Sequence, residues 1–421
     1  MNKKISDSRI FWLDVARCVA IISITLNHAV NRAYHVYEGQ SAEFFSIPLG
    51  STLFKTFVYV FSRIGVPLFL MISGALLFNK EINNAEDIKK FYKHNLLSLL
   101  ITSEIWMFIM YWVIYIMEGH FRTESIFMSI LGLLETMFFV NQTTFHSMWY
   151  IPMILCIYLF LPFLIMIKNK VPKKIIMIPM AATLIYYYLI PTLNDILRGL
   201  GSSTFSVQED VILPQYLLIV VVGYLVSKGA LKNLNKYLLM LGAVLSFAVS
   251  VGIQMFLFSQ KPDVILRYEF VGFFVCAVFL FEIFRRYSDR IAGIRPAVEG
   301  LSKISFGIYF VHIIIMEILR ATTYSFLATK ISQPMILIYL EVVSFIGSII
   351  FIKLVSLIPK AKKYLFMIRK KNTGLCKCNS SVFGYMFDYL IPAALRIGLM
   401  LMRTTTITRE RTVSGMLNVA L

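Results

Sequence analysis

The sequence predicts an all-α, polytopic membrane helix bundle of about ten transmembrane helices, with its N-terminus and the end of its helical body cytoplasmic. Three observations carry this. Of 421 residues, 58% are hydrophobic and only 15% charged, and the mean hydropathy of +0.73 lies far above the soluble globular range. About ten apolar runs reach or approach the ~20 residues a helix needs to cross the hydrocarbon core. They cover residues 10–30, 53–78, 95–117, 148–167, 175–191, 213–227, 238–258, 268–284, 304–327 and 335–358. The basic residues between them alternate. Residues 1–9, 80–93, 168–174, 228–236 and 285–303 hold 19 Lys and Arg, against 7 in or beside the other loops: Arg32, Lys55, Arg122, Arg198, Lys261, Arg267 and Lys330. That is the positive-inside pattern.

The formal charge of +18 is therefore a topology signal and excludes a nucleic-acid partner, because the cations alternate with apolar spans and form no single basic face. Cys18, Cys156 and Cys276 fall inside apolar runs and imply buried thiols without a disulfide framework; no metal-binding spacing occurs. A basic start precedes a long apolar run that lacks a small-residue cleavage site, so the run reads as a retained helix.

Taken in order, residues 10–30 carry Asp14, Arg17 and His28, although a charge near mid-membrane costs at least ~2.5–3.5 kcal/mol. Arg17 and His28 are 11 residues apart, hence within ~20° of one helical face and ~16 Å apart along it. With the N-terminus inside, Arg17 is at the cytoplasmic level and His28 near the outer end. A fixed cation at one level and a proton acceptor at the other suit a transfer reaction across the membrane. Asp14 then holds Arg17. The plain alternative is an Asp14–Arg17 pair that orders packing and a hydrogen-bonded histidine.

Residues 53–78 carry Arg63, a cation that needs a partner or a wet cavity and could face a developing oxyanion. Pro67 interrupts the backbone ladder there, while Ser73 and Gly74 permit close helix approach. Between the third and fourth spans, residues 125–140 form an interfacial amphipathic helix. The fourth span opens on His146, Trp149 and Tyr150, either an aromatic belt or a stacking platform for a sugar ring. The ninth carries Tyr309 and His312, with Glu317 following. Glu104 and Glu341 are further intramembrane carboxylates. Residues 1–360 form the helical domain; residues 361–421 form a basic interfacial or cytoplasmic tail. Gly-rich phosphate loops, H-E-x-x-H pairs and G-x-S-x-G elbows are absent, so any chemistry comes from dispersed residues on facing helices.

These residues resemble those of the acyltransferase 3 family, integral-membrane acyltransferases of bacterial envelopes. The resemblance rests on Leu13-Asp14-x-x-Arg17 with His28 beyond, on Gly65-Val-Pro-Leu-Phe-x-x-Ile-Ser-Gly74, on Trp149-Tyr150, and on Ser305-Phe-Gly-Ile-Tyr309-x-x-His312. It is closest to the enterobacterial common antigen O-acetyltransferase branch. It implies a multi-pass protein of the bacterial cytoplasmic membrane that moves an acyl group, usually acetyl from acetyl-CoA, to a hydroxyl of an envelope glycan or its lipid-linked precursor. Acyl-CoA is then a co-substrate, with no bound cofactor. By this likeness His28 is catalytic and Arg17 contacts the donor; Arg63, Trp149, Tyr150, Tyr309 and His312 line the substrate site. The competing reading is a transporter or flippase of a lipid-linked sugar, in which the same polar residues mark a permeation path and helices are discontinuous at the midplane.

Overall fold

A computed structural model describes residues 10–34, 49–119, 125–139, 148–206, 213–260 and 264–367. Helices alone make up the regular structure of these residues, and eight are long and apolar enough to cross a membrane. The two further expected spans remain apolar helices of another form. Residues 213–227 form a helix of only 15 residues, short for a crossing. The eighth and ninth spans lie in one helical stretch, Val271–Ala328, whose 58 residues would extend ~87 Å if straight. It turns at a 3₁₀ segment, Ser288–Ile294, where Ile291 leaves helical geometry.

In chain order the helices are α1 (Phe11–Tyr34), α2 (Leu49–Ser62), α3 (Gly65–Leu77), α4 (Ala85–Phe91), α5 (Leu97–Met117), α6 (Ile126–Met137), α7 (Tyr150–Lys170), α8 (Lys173–Leu184), α9 (Ile190–Gly199), α10 (Leu213–Ser227), α11 (Lys236–Gln260), α12 (Val271–Tyr287), α13 (Arg295–Leu319), α14 (Ser325–Ala328), α15 (Gln333–Val355) and α16 (Pro359–Tyr364). Single π turns join α4 to α5, α8 to α9 and α13 to α14. The third span thus begins ten residues before its expected start, so Lys89, Lys90 and Lys93 ride on its N-terminal extension.

Among the spanning helices, α1 and the α2–α3 span are the most enclosed. On α1 the burial extends to its ionisable residues. This helix packs against α2, α3, α12, α13 and α15, and both of its ion-bearing ends are covered. This explains how a span with Asp14, Arg17 and His28 is tolerated: its polar groups face protein, where partners exist, and lipid meets the apolar outer helices instead. The run α8–α9 is at the other extreme, with Ile175, Met177, Ile178, Ile185 and Leu189 all exposed on its outside.

The second span is broken, and not where its proline suggests. The interruption falls at Arg63–Ile64, while Pro67 sits in the first turn of α3, where its missing N–H has no intrahelical acceptor to lose. A break inside a membrane strands carbonyls. Here Ser23 of α1 donates its hydroxyl to Phe61 O (2.9 Å) and Ser62 O (3.0 Å), and Asn27 Nδ2 donates to Ser62 Oγ (3.1 Å). Gly65 lets the two helices touch: a methyl there would lie 2.7 Å from Ala20 O. Farther along, Gly74 of α3 and Gly223 of α10 mesh, each facing the other helix's backbone. Close approach is thus the role of Gly74.

The expected interfacial helix is α6. It leans on α5 through Tyr111, whose hydroxyl donates to Ser129 O at 2.7 Å, and leaves Ile126, Phe127 and Met128 exposed. At the C-terminal end of α12, Glu282 binds Arg285 (2.7 Å) and Arg286 (2.5 Å), and Arg286 continues to Leu234 O (2.8 Å), closing the turn after α10. Packing carries past residue 360. Trp106 of α5 donates its indole N–H to Leu365 O at 2.8 Å and lies beside Phe366. Cys376, Cys378 and the rest of the tail lie outside the described residues.

Candidate active site

Two polar clusters stand on α1, one at each end of the stretch the sequence singled out. Toward the start of α1 Asp14 is fully buried and accepts from Arg17 Nη1 at 3.1 Å and from Ser302 Oγ of α13 at 2.7 Å. Arg17 also reaches Ser302 Oγ, at 3.4 Å, and keeps about a quarter of its side chain exposed. Asp14 is therefore the anchor and Arg17 the group presented outward. Ser302 was missed from sequence because nothing local marks it: it acquires meaning only when α13 lies parallel to α1.

At the outer level the rings of His28 and His312 stand 5.2 Å apart, centroid to centroid. His312 is fully buried, and its Nδ1 lies 2.7 Å from Ile308 O. A carbonyl only accepts, so Nδ1 carries the proton and Nε2 is left with a lone pair. That Nε2 has no hydrogen-bond partner among the described residues. One turn outward, Arg32 donates through Nε to Glu317 Oε1 at 3.1 Å, with a second, shorter bond from Nη2, and through Nη1 to His28 O at 3.3 Å. Glu317 also accepts from Arg320 Nε at 2.7 Å. Arg32 read as an outer-loop charge in sequence; the fold turns it into the clamp holding α1 to α13 beside the histidines.

Arg63 is nearly fully buried at the break and lies over Tyr59 (4.6 Å) and Tyr268 (4.8 Å), the cation resting on ring faces. Tyr59 in turn donates to Leu266 O at 2.7 Å. His28 is within electrostatic reach of both Arg32 and Arg63.

The predicted aromatic residues join these groups. Tyr150 packs on Tyr309 (6.0 Å), and Tyr309 on His312 (6.4 Å). Tyr158, two turns along α7 from Tyr150, approaches Ser73 Oγ at 3.4 Å and lies within reach of Arg17. A tyrosine-lined strip thus connects the Arg17 level to the His28 level, with α7 antiparallel to α1. Trp149 stands apart from it, against Tyr216 (5.5 Å) and Tyr268 (5.4 Å). Of the predicted set, Asp14 and Arg17 come together, as do His28, His312, Tyr309 and Tyr150, and Arg63 joins the second group electrostatically. His146 lies outside the described residues. Glu341 accepts from Thr25 at 2.6 Å and ties α15 to α1, away from these groups; Glu104 keeps one oxygen, Oε2, with no hydrogen-bond partner among the described residues. Among the described residues no group of three potential ligands is placed to hold a metal.

This arrangement can anchor an anion or carbonyl near Arg17, lead an extended chain past tyrosines, and take a proton beside a buried cation. Compared with known families, residues 10–356 match one described as an acyltransferase domain. No curated protein and no solved structure matches the chain.

Proposed function

The chain belongs to the acyltransferase 3 family and is a membrane acyltransferase, and from that premise we propose that it moves an acyl group, acetyl first, from acyl-CoA to a hydroxyl of a cell-envelope glycan or its lipid-linked precursor in the bacterial cytoplasmic membrane. The observation that carries the reading is the pairing of His28 with His312 at 5.2 Å beside two arginines, on the same helix as the Asp14-anchored Arg17. In this reading Arg17 binds a phosphate or carbonyl of the donor that enters from the cytoplasm, and the strip of Tyr158, Tyr150 and Tyr309 takes its extended arm. The acceptor hydroxyl loses its proton to His28 as its oxygen attacks the thioester carbonyl. Arg63 faces the oxyanion that forms. Collapse breaks the carbon–sulfur bond, and His28 returns the proton to the leaving thiolate. His312, fixed as a lone-pair bearer, packs its ring against His28 and limits how that ring can turn; Glu317 and Arg32 hold the two helices at the needed separation.

The transporter reading foresees discontinuous helices, and the second span is discontinuous at Arg63. Family membership favours acyl transfer as the primary activity, and the groups freed at the break are met by Ser23 and Asn27 of α1. The test is acetyl-CoA turnover by purified protein with envelope glycan extract, comparing wild type with Arg17→Ala and His28→Ala. Wild-type turnover that is lost in both folded variants supports the assignment. Normal turnover by His28→Ala overturns the role of His28, and failure with every acyl-CoA offered, alongside movement of labelled lipid-linked sugar in proteoliposomes, overturns the acyltransfer reading of this site.

A further inference from the structure

Three helices begin close together at the end that the loop charges put outside: α7 at Tyr150, α10 at Leu213 and α12 at Val271. The residues at these starts converge on one place. Trp149, only partly buried, rests on Tyr216 and Tyr268, and Tyr268 also carries the Arg63 guanidinium at 4.8 Å. Behind the rings Gln215 donates from Nε2 to Glu269 Oε1 at 3.2 Å. Tyr216 lies within electrostatic reach of both Glu269 and Arg63. The second carboxylate oxygen, Glu269 Oε2, is buried and has no hydrogen-bond partner among the described residues.

A buried carboxylate oxygen without a donor from the chain is costly, and water or the hydroxyl of a bound ligand satisfies it. The acyl-transfer steps above do not use it. Its surroundings specify the donor. Tryptophan and tyrosine faces bind rings with exposed C–H groups, and a carboxylate accepts from hydroxyls. A neutral pyranose presents both, one apolar face and a rim of hydroxyl donors, whereas an anionic sugar would meet the charge of Glu269. Resting on the proposed transfer to a glycan hydroxyl, we infer that Trp149, backed by Tyr216 and Tyr268, forms with Glu269 a subsite for a neutral pyranose unit of the acceptor, with Glu269 Oε2 accepting from one ring hydroxyl. Arg63 stands between this subsite and His28, so a sugar seated on Trp149 carries its neighbouring hydroxyl toward the histidines.

The experiment is a binding titration on the full chain in lipid nanodiscs, followed by tryptophan fluorescence. The probes are the methyl glycosides of glucose, galactose and N-acetylglucosamine, with methyl glucuronide as the anionic counterpart. Wild type should bind at least one neutral glycoside and not the glucuronide. Glu269→Gln, which keeps shape and removes charge, should weaken that binding about ten- to a hundredfold. Trp149→Leu should do the same and Trp149→Phe should restore part of it, while KM for acyl-CoA stays unchanged in all three. Absence of any glycoside binding by wild type, or wild-type binding by Glu269→Gln, overturns the subsite. The two readings separate cleanly. Acyl transfer with acceptor KM unaffected by Glu269→Gln and Trp149→Leu sinks the subsite alone; Glu269-dependent glycoside binding without consumption of any acyl donor sinks the transfer reading alone.

Discussion

Replacing Gly74 or Gly223 by alanine tests the backbone contact that joins α3 to α10. A methyl at Gly74 would run into the backbone of Val220, and one at Gly223 into the backbone of Met71. Side chains can rotate away from such a clash; backbone in two packed helices cannot. The axes of α3 and α10 must separate, and contacts along the whole seam weaken together. Overpacking of ordinary cores costs about 1–3 kcal/mol, and with backbone on both sides each single variant should fall at the upper part of that range, about 2–3 kcal/mol. Once the helices have parted for one methyl, the second finds space, so the double variant should cost about 1 kcal/mol less than the sum. Gly252 supplies the contrast: it lies in α11 with nothing within 4 Å of an added methyl, so Gly252→Ala should be neutral or stabilising by up to about 1 kcal/mol through helix propensity. The assay is equilibrium unfolding in mixed micelles with acyl-transfer rate measured in parallel. Singles within about 0.5 kcal/mol of wild type, or a strictly additive double variant, would refute the reasoning, because either result means the two glycines do not share one backbone contact.

Other outcomes follow from the same geometry. Ser302→Ala removes the 2.7 Å hydroxyl donor to buried Asp14, and should cost about 1–3 kcal/mol in unfolding free energy and raise KM for acyl-CoA more than it lowers kcat, in steady-state kinetics. Arg32→Ala leaves Glu317 with Arg320, while Glu317→Ala strips both arginines; the glutamate variant should therefore lose more activity, and equal losses would show that the Arg32 contact to His28 O matters more than the ion pair. Trp106→Phe keeps the stacked ring on Phe310 but leaves Leu365 O without its donor, for a loss of about 1–3 kcal/mol in thermal or chemical unfolding.

Hydropathy and loop charge were enough to read a membrane bundle, because spanning helices are imposed by the solvent: every backbone polar group must be satisfied within its own segment, so run length and flanking cations carry the topology. The 11-residue spacing of Arg17 and His28 was equally legible, since one helix fixes both the shared face and the axial distance. What sequence could not supply was every relation between helices. Asp14 with Ser302, His28 with His312 and Arg32 with Glu317 join residues about 285 positions apart, and no local pattern marks which helix lies beside which. The break at Arg63 shows the same limit. Pro67 offered the visible signal, but a proline in a first turn costs nothing, whereas the actual interruption is sustained by hydroxyl and amide donors on α1. Glu269 carries the point furthest: in sequence it is one acid beside an apolar run, and only the convergence of three helix starts surrounds it with aromatic rings and leaves one of its oxygens to be met.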